Sequence, residues 1–311
     1  MKEFAMIFPG QGSQSLGMLL ELAKENYIVE ETFKEASDVL SYDLWKLIQH
    51  GTKEELNKTH KTQPALVAAS TSIFRIWKKN NFKNPVFMAG HSLGEYSALV
   101  CANVIKFKDA IKLVDLRGKL MQSEIPEEIG AMHAIIGLNS NIIKNACKKA
   151  SQGQIVSISS FNSYDQIVIS GEKSAVERAS IICKKNGAKR IIKLPISVPS
   201  HCELMKPASK KLEKILNKII FFESKYQIIN NVDVKIEKCP NNIRNSLVRQ
   251  LYNPVRWTET IELIAKQGIK YFIEIGPGNV LSSLTKRIIH DSTAISINNP
   301  TSFKNFVLGI N

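Results

Sequence analysis

Cysteine is sparse in this chain, and its placement excludes two kinds of chemistry. The five cysteines, Cys101, Cys147, Cys183, Cys202 and Cys239, are scattered among 311 residues with no paired spacing. They read as reduced thiols and supply neither a disulfide framework nor a zinc site. Long apolar runs are missing too. No stretch approaches the length of a membrane span, and Met1-Lys2-Glu3-Phe4-Ala5 enters a strand without a signal-peptide pattern. The expectation is a cytoplasmic protein that does not engage a membrane. Repeats and low-complexity segments are absent, and hydrophobic (44%) and charged (23%) contents are those of a globular chain.

Negative charge is in deficit: 28 Asp and Glu face 42 Lys and Arg, a formal net charge of +14. The lysines spread over helix faces without interleaved aromatics, which argues against nucleic acid as a partner. A basic surface still steers an acidic protein or a phosphate-bearing substrate. Glycine-rich phosphate signatures also fail. Pro9-Gly10-Gln11-Gly12-Ser13-Gln14 follows a first strand, Phe4 to Phe8, but lacks the Walker lysine and the dinucleotide glycine spacing. It reads as a plain turn or as a backbone N–H donor.

What is present centres on Gly90-His91-Ser92-Leu93-Gly94. An apolar run, residues 85–89, leads in, and a helical run from Glu95 to Cys101 leads out. Strand, sharp turn and helix are the setting of a nucleophile elbow, whose strained turn needs small residues around the serine. Ser92 then sits at a helix N-terminus, where free N–H groups favour developing negative charge.

Such a serine needs a base, and six histidines compete: His50, His60, His91, His133, His201 and His290. His91 diverges from its neighbour in a tight turn. His50 and His60 are expected in polar loops, His133 in a strand and His290 at a helix end. His201 follows Val198-Pro199-Ser200 at the head of a helix, where a surface histidine would fit equally well. Asp109, Asp115 and Asp165 lie between Ser92 and His201, yet none sits clearly at the end of a main strand; a backbone carbonyl could orient the imidazole instead. Arg117, on an apolar helix from Lys108 to Met121, is either a paired structural arginine or a carboxylate clamp.

Alternating strands and helices predict an α/β fold with a central parallel sheet covered by helices. Thr62-Gln63-Pro64 is expected to open a helix to Lys79, with Pro64 in its first turn. Later come a strand at 228–232, helices at 242–251 and 257–266, a strand at 271–275 and a last strand at 294–297. From Gly130 the order becomes βαββαβ over about 65 residues, the ferredoxin-like unit. The expected division is a hydrolase-like catalytic domain at 1–127 and 197–311 with an inserted small domain at 128–196.

Further motifs carry a resemblance. Phe8-Pro9-Gly10-Gln11-Gly12-Ser13-Gln14, Gly90 to Ser97, Arg117-Gly118-Lys119, Val198 to Cys202, Gln250 to Val255 and Glu274 to Gly278 run in order along nearly the whole chain. Together they closely resemble the malonyl-CoA:acyl carrier protein transacylases of bacterial fatty-acid synthesis. The resemblance implies Ser92 as acylated nucleophile, His201 as its base, the N–H groups of Gln11 and Leu93 as oxyanion hole, Arg117 on the malonyl carboxylate and the Gln250 carbonyl against His201. It implies malonyl-CoA and a phosphopantetheinylated, acidic acyl carrier protein as substrates, with no resident cofactor and no metal. Two departures fall in the small domain that covers the cleft. At His133 the resemblance implies a small residue, so a changed pocket floor is expected, and Tyr164-Asp165 stands in place of a Pro-Gly turn. Neither is expected to touch the catalytic set. Lys189, Arg190, Lys286 and Arg287 are candidate carrier-docking residues. A serine thioesterase with water as acceptor, and a silent carrier- or nucleic-acid-binding protein, are the competing classes.

Overall fold

The computed structural model describes residues 2–126, 129–195 and 198–309. Strand β1 (Phe4–Phe8) is buried along its whole length. Helices α1 (Leu20–Glu25), α2 (Ile28–Leu40), α3 (Leu44–His50), α4 (Lys53–Leu56) and α5 (Thr59–Lys79) follow. Strand β2 (Phe87–Gly90) leads through the serine turn into α6 (Leu93–Cys101) and α7 (Phe107–Glu124).

The small unit comprises β3 (Gly130–Ile136), α8 (Ser140–Ser151), β4 (Val156–Ser163), β5 (Gln166–Glu172), α9 (Lys173–Lys185) and β6 (Arg190–Lys193). The chain then re-enters the main body with α10 (Lys206–Leu216), β7 (Gln227–Ile229), α11 (Pro240–Gln250) and α12 (Trp257–Lys266). Strand β8 (Tyr271–Ile275), α13 (Val280–Ile288), β9 (Thr293–Ile297) and α14 (Pro300–Gly309) complete it.

The main sheet has the order β7-β2-β1-β8-β9, with every pairing parallel. A parallel sheet must be covered on both faces, and the period-two alternation of β1 shows how. Phe4, Met6 and Phe8 pack into the larger core with α5 and α7, while Ala5 and Ile7 pack into a second core with α12 and α13. Glu274 on β8 is fully buried, and its carboxylate caps α13 by accepting from the N–H groups of Leu281 (3.1 Å) and Ser282 (2.8 Å). The buried acid thus fixes the helix that lies beside the serine turn.

The second sheet, order β4-β5-β3-β6, is wholly antiparallel, the ferredoxin-like arrangement. Ala131 and Ile135 face α8 and α9, while Met132, Ala134 and Val168 form a separate apolar cluster on the opposite face. That opposite face looks towards His201, since Ser170 Oγ lies 3.7 Å from Cys202 Sγ. Strand β4 is tied to the main body by Phe161 N–H donating to the Val255 carbonyl at 2.9 Å. The expected junctions, 127/128 and 196/197, lie outside the described residues.

Several local expectations need correction. Helix α5 starts at Thr59, so Pro64 lies inside it and not in its first turn. The turn is already set when Lys61 and Thr62 donate to the Lys58 carbonyl, and Pro64 removes only the single rung to His60. His60 is therefore helical, as is His50 at the end of α3, and neither lies in a loop. Strand β7 is only three residues long and ends at Ile229. His201 does not head a helix; a 3-10 turn, Glu203–Met205, separates it from α10.

Candidate active site

The serine turn is compressed from both sides. A Cβ on Gly90 would lie 1.9 Å from the Gly94 carbonyl carbon, and one on Gly94 would lie 1.9 Å from the Phe8 oxygen. Ser92 itself sits at φ 53°, ψ −108°, a backbone region that only surrounding structure can hold. Asn231 supplies that restraint. Its Oδ1 accepts from the Ser92 N–H (2.7 Å) and its Nδ2 donates to the Gly90 carbonyl (2.7 Å). It lies two residues past β7, whose pairing of Ile229 with Ala89 delivers it to the turn. Leu93 is the first residue of α6, so its N–H has no acceptor within the helix.

His201 meets this serine directly. Ser92 Oγ and His201 Nε2 are 2.7 Å apart, and His201 Nδ1 is 2.7 Å from the Gln250 carbonyl oxygen. A carbonyl only accepts, so Nδ1 carries the proton and Nε2 is left to accept from the serine hydroxyl. The left-handed backbone of His201 (φ 62°) aims the ring, and its N–H donates to the Leu251 carbonyl at 2.9 Å. Burial, followed by the positive charge of Arg117, drives the His201 pKa down to about 3, so at neutral pH the ring is unprotonated and Nε2 is free to accept a proton. Among the described residues no aspartate is bonded to His201, whose Nδ1 is taken by the Gln250 carbonyl. Asp115 pairs with Lys119 at 2.7 Å and Asp165 lies 3.8 Å from Arg287.

Arg117 is 1% exposed, and both terminal nitrogens are partnered by amide oxygens. One donates to Gln63 Oε1 (2.9 Å) and the other to Gln250 Oε1 (3.1 Å), with the guanidinium 5.2 Å from the Tyr96 ring centroid. Its Nε has no partner among the described residues. The fork is therefore held in place by neutral groups; burial lowers its pKa, but a guanidinium stays charged at neutral pH. The far end of the Gln250 amide donates to the Ser92 carbonyl (3.0 Å) and to Glu95 Oε2 (2.8 Å). Gln250 thus touches the site three ways: its backbone carbonyl reaches the base, and its side chain reaches both the serine turn and the arginine.

The loop carrying Gln11 packs against this turn, for a Cβ on Gly10 would fall 2.5 Å from the His91 oxygen. A cavity of about 120 Å³ lies there, lined by Gly10, Gln11, His91, Asn162 and Leu281 among others. His91 turns away from Ser92 to Asn162 Oδ1 (2.8 Å) and lies against Trp257.

Among the described residues neither departure has a contact with Ser92, His201 or Arg117, and His133 does not form the pocket floor expected of it. His133 faces the helix layer, bonded to Ser180 of α9 at 2.7 Å, because it alternates with Met132 and Ala134 along β3. Tyr164 bonds Glu262 of α12, and Asp165 faces Arg287 of α13, so this turn anchors the small sheet to the main body. Arg287, a docking candidate, is also occupied by Gln166 at 2.9 Å. Among the described residues no cluster of three or more His, Cys, Asp or Glu is placed to hold a metal ion.

Residue-by-residue reading of the sequence missed Asn231, Gln63 and Glu95. Glu95 carried a signal in its position three residues after the serine on an otherwise apolar helix, whereas Asn231 and Gln63 carried none.

The geometry can be set beside known proteins. A family model described as acyl transferase domain matches residues 5–300. The chain is 59% identical over 304 residues to the malonyl CoA-acyl carrier protein transacylase of Haemophilus influenzae, covering 97% of each. It matches a malonyl-transacylase solved in complex with a holo type II PKS acyl-carrier protein at a TM-score of 0.98 and 59% identity, covering 99% of this chain and 100% of the other. An acyl carrier protein S-malonyltransferase from Vibrio cholerae matches at a TM-score of 0.96 and 54% identity, covering 98% and 100%.

Proposed function

This chain belongs to the acyl transferase domain family, and from that premise we propose that it moves the malonyl group of malonyl-CoA to the phosphopantetheine thiol of acyl carrier protein. The reaction serves fatty-acid biosynthesis and proceeds by double displacement through a malonyl ester on Ser92. The observation that carries the reading is the 2.7 Å contact from Ser92 Oγ to a neutral His201 whose other nitrogen is anchored on a carbonyl.

Ser92 Oγ attacks the thioester carbonyl while His201 Nε2 takes its proton. The resulting oxyanion lies on the N–H groups of Leu93 and Gln11, each typically worth about 3 kcal/mol. The C–S bond then breaks, and His201 returns its proton to the departing CoA sulfur. In the second half the carrier thiol gives its proton to His201 and attacks the malonyl ester, and Ser92 Oγ leaves with that proton. Malonyl-CoA and the loaded carrier enter as substrates, and the scheme needs no resident cofactor or metal. Arg117 holds the malonyl carboxylate, and an acyl group without one leaves the buried guanidinium with amide partners but no counter-charge. We assign the reaction to the cytoplasm, and the free state of all five cysteines supports a reducing compartment.

Labelled malonyl-CoA incubated with and without holo acyl carrier protein tests the assignment. Label should pass to the carrier, with slow release as free malonate when carrier is omitted. Rapid hydrolysis indifferent to the carrier would identify a thioesterase instead.

A further inference from the structure

Glu95 is a buried carboxylate that the transfer steps leave unused. It is 2% exposed, and its Oε2 accepts from the Asn231 N–H (3.1 Å) and from Gln250 Nε2 (2.8 Å). The opposite end of the same amide accepts from Arg117 at 3.1 Å. One carboxamide therefore stands between a buried anion and a buried cation, donor end to the first and acceptor end to the second. Flipping it would set N–H against guanidinium N–H and C=O against both the carboxylate and the Ser92 carbonyl, so its orientation is fixed.

Of the other charges around Glu95, Asp233 pushes its carboxyl further up and is itself paired. Asp233 and Arg249 pair with each other at 2.6 Å, and Tyr96 and His201 are neutral at neutral pH. Glu95 and Arg117 are left as the two charges that decide the net charge of the acyl pocket. Burial pushes the Glu95 carboxyl up to about 7 against the opposing pull of Gln250, the Asn231 N–H and Arg117, so it is poised between its two forms near neutrality.

We propose that Glu95 is a specificity-determining residue that couples the choice of acyl group to a proton. When an acyl group bearing a carboxylate docks on Arg117, the second negative charge makes Glu95 take up a proton from solvent. An acyl group with no charge leaves Glu95 ionised. The inference rests on Arg117 as the carboxylate clamp.

The sign follows from linkage. A ligand that raises the pKa of a group binds better as pH falls through that pKa. Malonylation of Ser92 should therefore gain on acetylation as the medium is acidified, while the malonyl carboxylate stays ionised.

Single-turnover acylation by malonyl-CoA and by acetyl-CoA, followed by intact-mass spectrometry across pH, reads this directly. In the unmodified protein the malonyl-to-acetyl rate ratio should rise about five- to tenfold from about pH 8 to about pH 6. In Glu95→Gln the ratio should be flat with pH and at least as high as the acid value of the unmodified protein. A flat ratio in the unmodified protein, or a variant that follows it, overturns the proposal. Should Glu95→Gln fail to fold, proton uptake by the unmodified protein decides: uptake on malonylation but not on acetylation supports the coupling, and equal uptake refutes it. Arg117→Ala separates the two layers. Loss of malonyl preference there, together with a flat ratio in the unmodified protein, defeats the role of Glu95 alone; an unchanged preference defeats the clamp itself.

Discussion

At the scale of single residues, the site works by contrasts between neighbouring buried groups. His201 is kept neutral by burial and by Arg117, while Arg117, a guanidinium that stays charged, is held by amide oxygens that leave that charge unneutralised. Replacing Arg117 with Ala should lower malonyl transfer by about 100-fold and raise the relative rate with acetyl-CoA, read as kcat/KM for both donors. His201 also makes a stability prediction. Its folded pKa of about 3 lies below the ordinary 6.5, so the unfolded chain binds the extra proton between those values. Stability should fall as pH drops from about 6.5 towards about 3, and the thermal midpoint of His201→Asn should fall less steeply over that range.

Ser92 and Arg117 stood out in the sequence because motif spacing and an odd charge on an apolar helix mark them locally. The histidine was only half legible: pattern singled out His201 among six, but a surface histidine fitted that position equally well until the resemblance decided. Asn231 was hidden for a physical reason: it is 139 residues from Ser92 and arrives only through the pairing of β7 with β2.

At the scale of elements, the serine turn is a steric device before it is a chemical one. The missing side chains at Gly90 and Gly94 let α6 start directly against β1. Gly94→Ala should lower stability by at least about 3 kcal/mol, or prevent folding, as measured by denaturant unfolding. The Glu274 cap on α13 makes a parallel case. Removing it by Glu274→Ala strands two N–H groups and a hydroxyl, at a cost of about 2–3 kcal/mol.

Long elements with a clean period were readable, and β8 and α12 match their expected bounds. Short helices such as α1 and α4 were not, because four to six residues carry too little periodicity to register. Pro64 misled for another reason: a proline's preference for the first turn is local, whereas α5 is fixed by packing against α7, with Gly118 pressed on the His60 backbone.

At the scale of the molecule, a five-stranded parallel sheet presents the serine and a four-stranded antiparallel sheet turns its open face to the histidine. The parallel pairing of one sheet and the ferredoxin-like succession of elements in the other followed from the alternation of strands and helices. The way the two pack did not, because it depends on side-chain contacts such as Tyr164 with Glu262 and Asp165 with Arg287. A net charge of +14 should speed encounter with an acidic carrier. The apparent second-order rate with acyl carrier protein should fall steeply with ionic strength, and Lys189→Ala combined with Arg190→Ala should flatten that dependence. Arg287→Ala should also loosen the small sheet, since it is already engaged there.

All of this depends on a covalent acyl-serine. Peptide mapping by mass spectrometry after exposure to malonyl-CoA alone should find one malonyl group on Ser92 and none in Ser92→Ala. No adduct, or an adduct on another residue, would contradict the account.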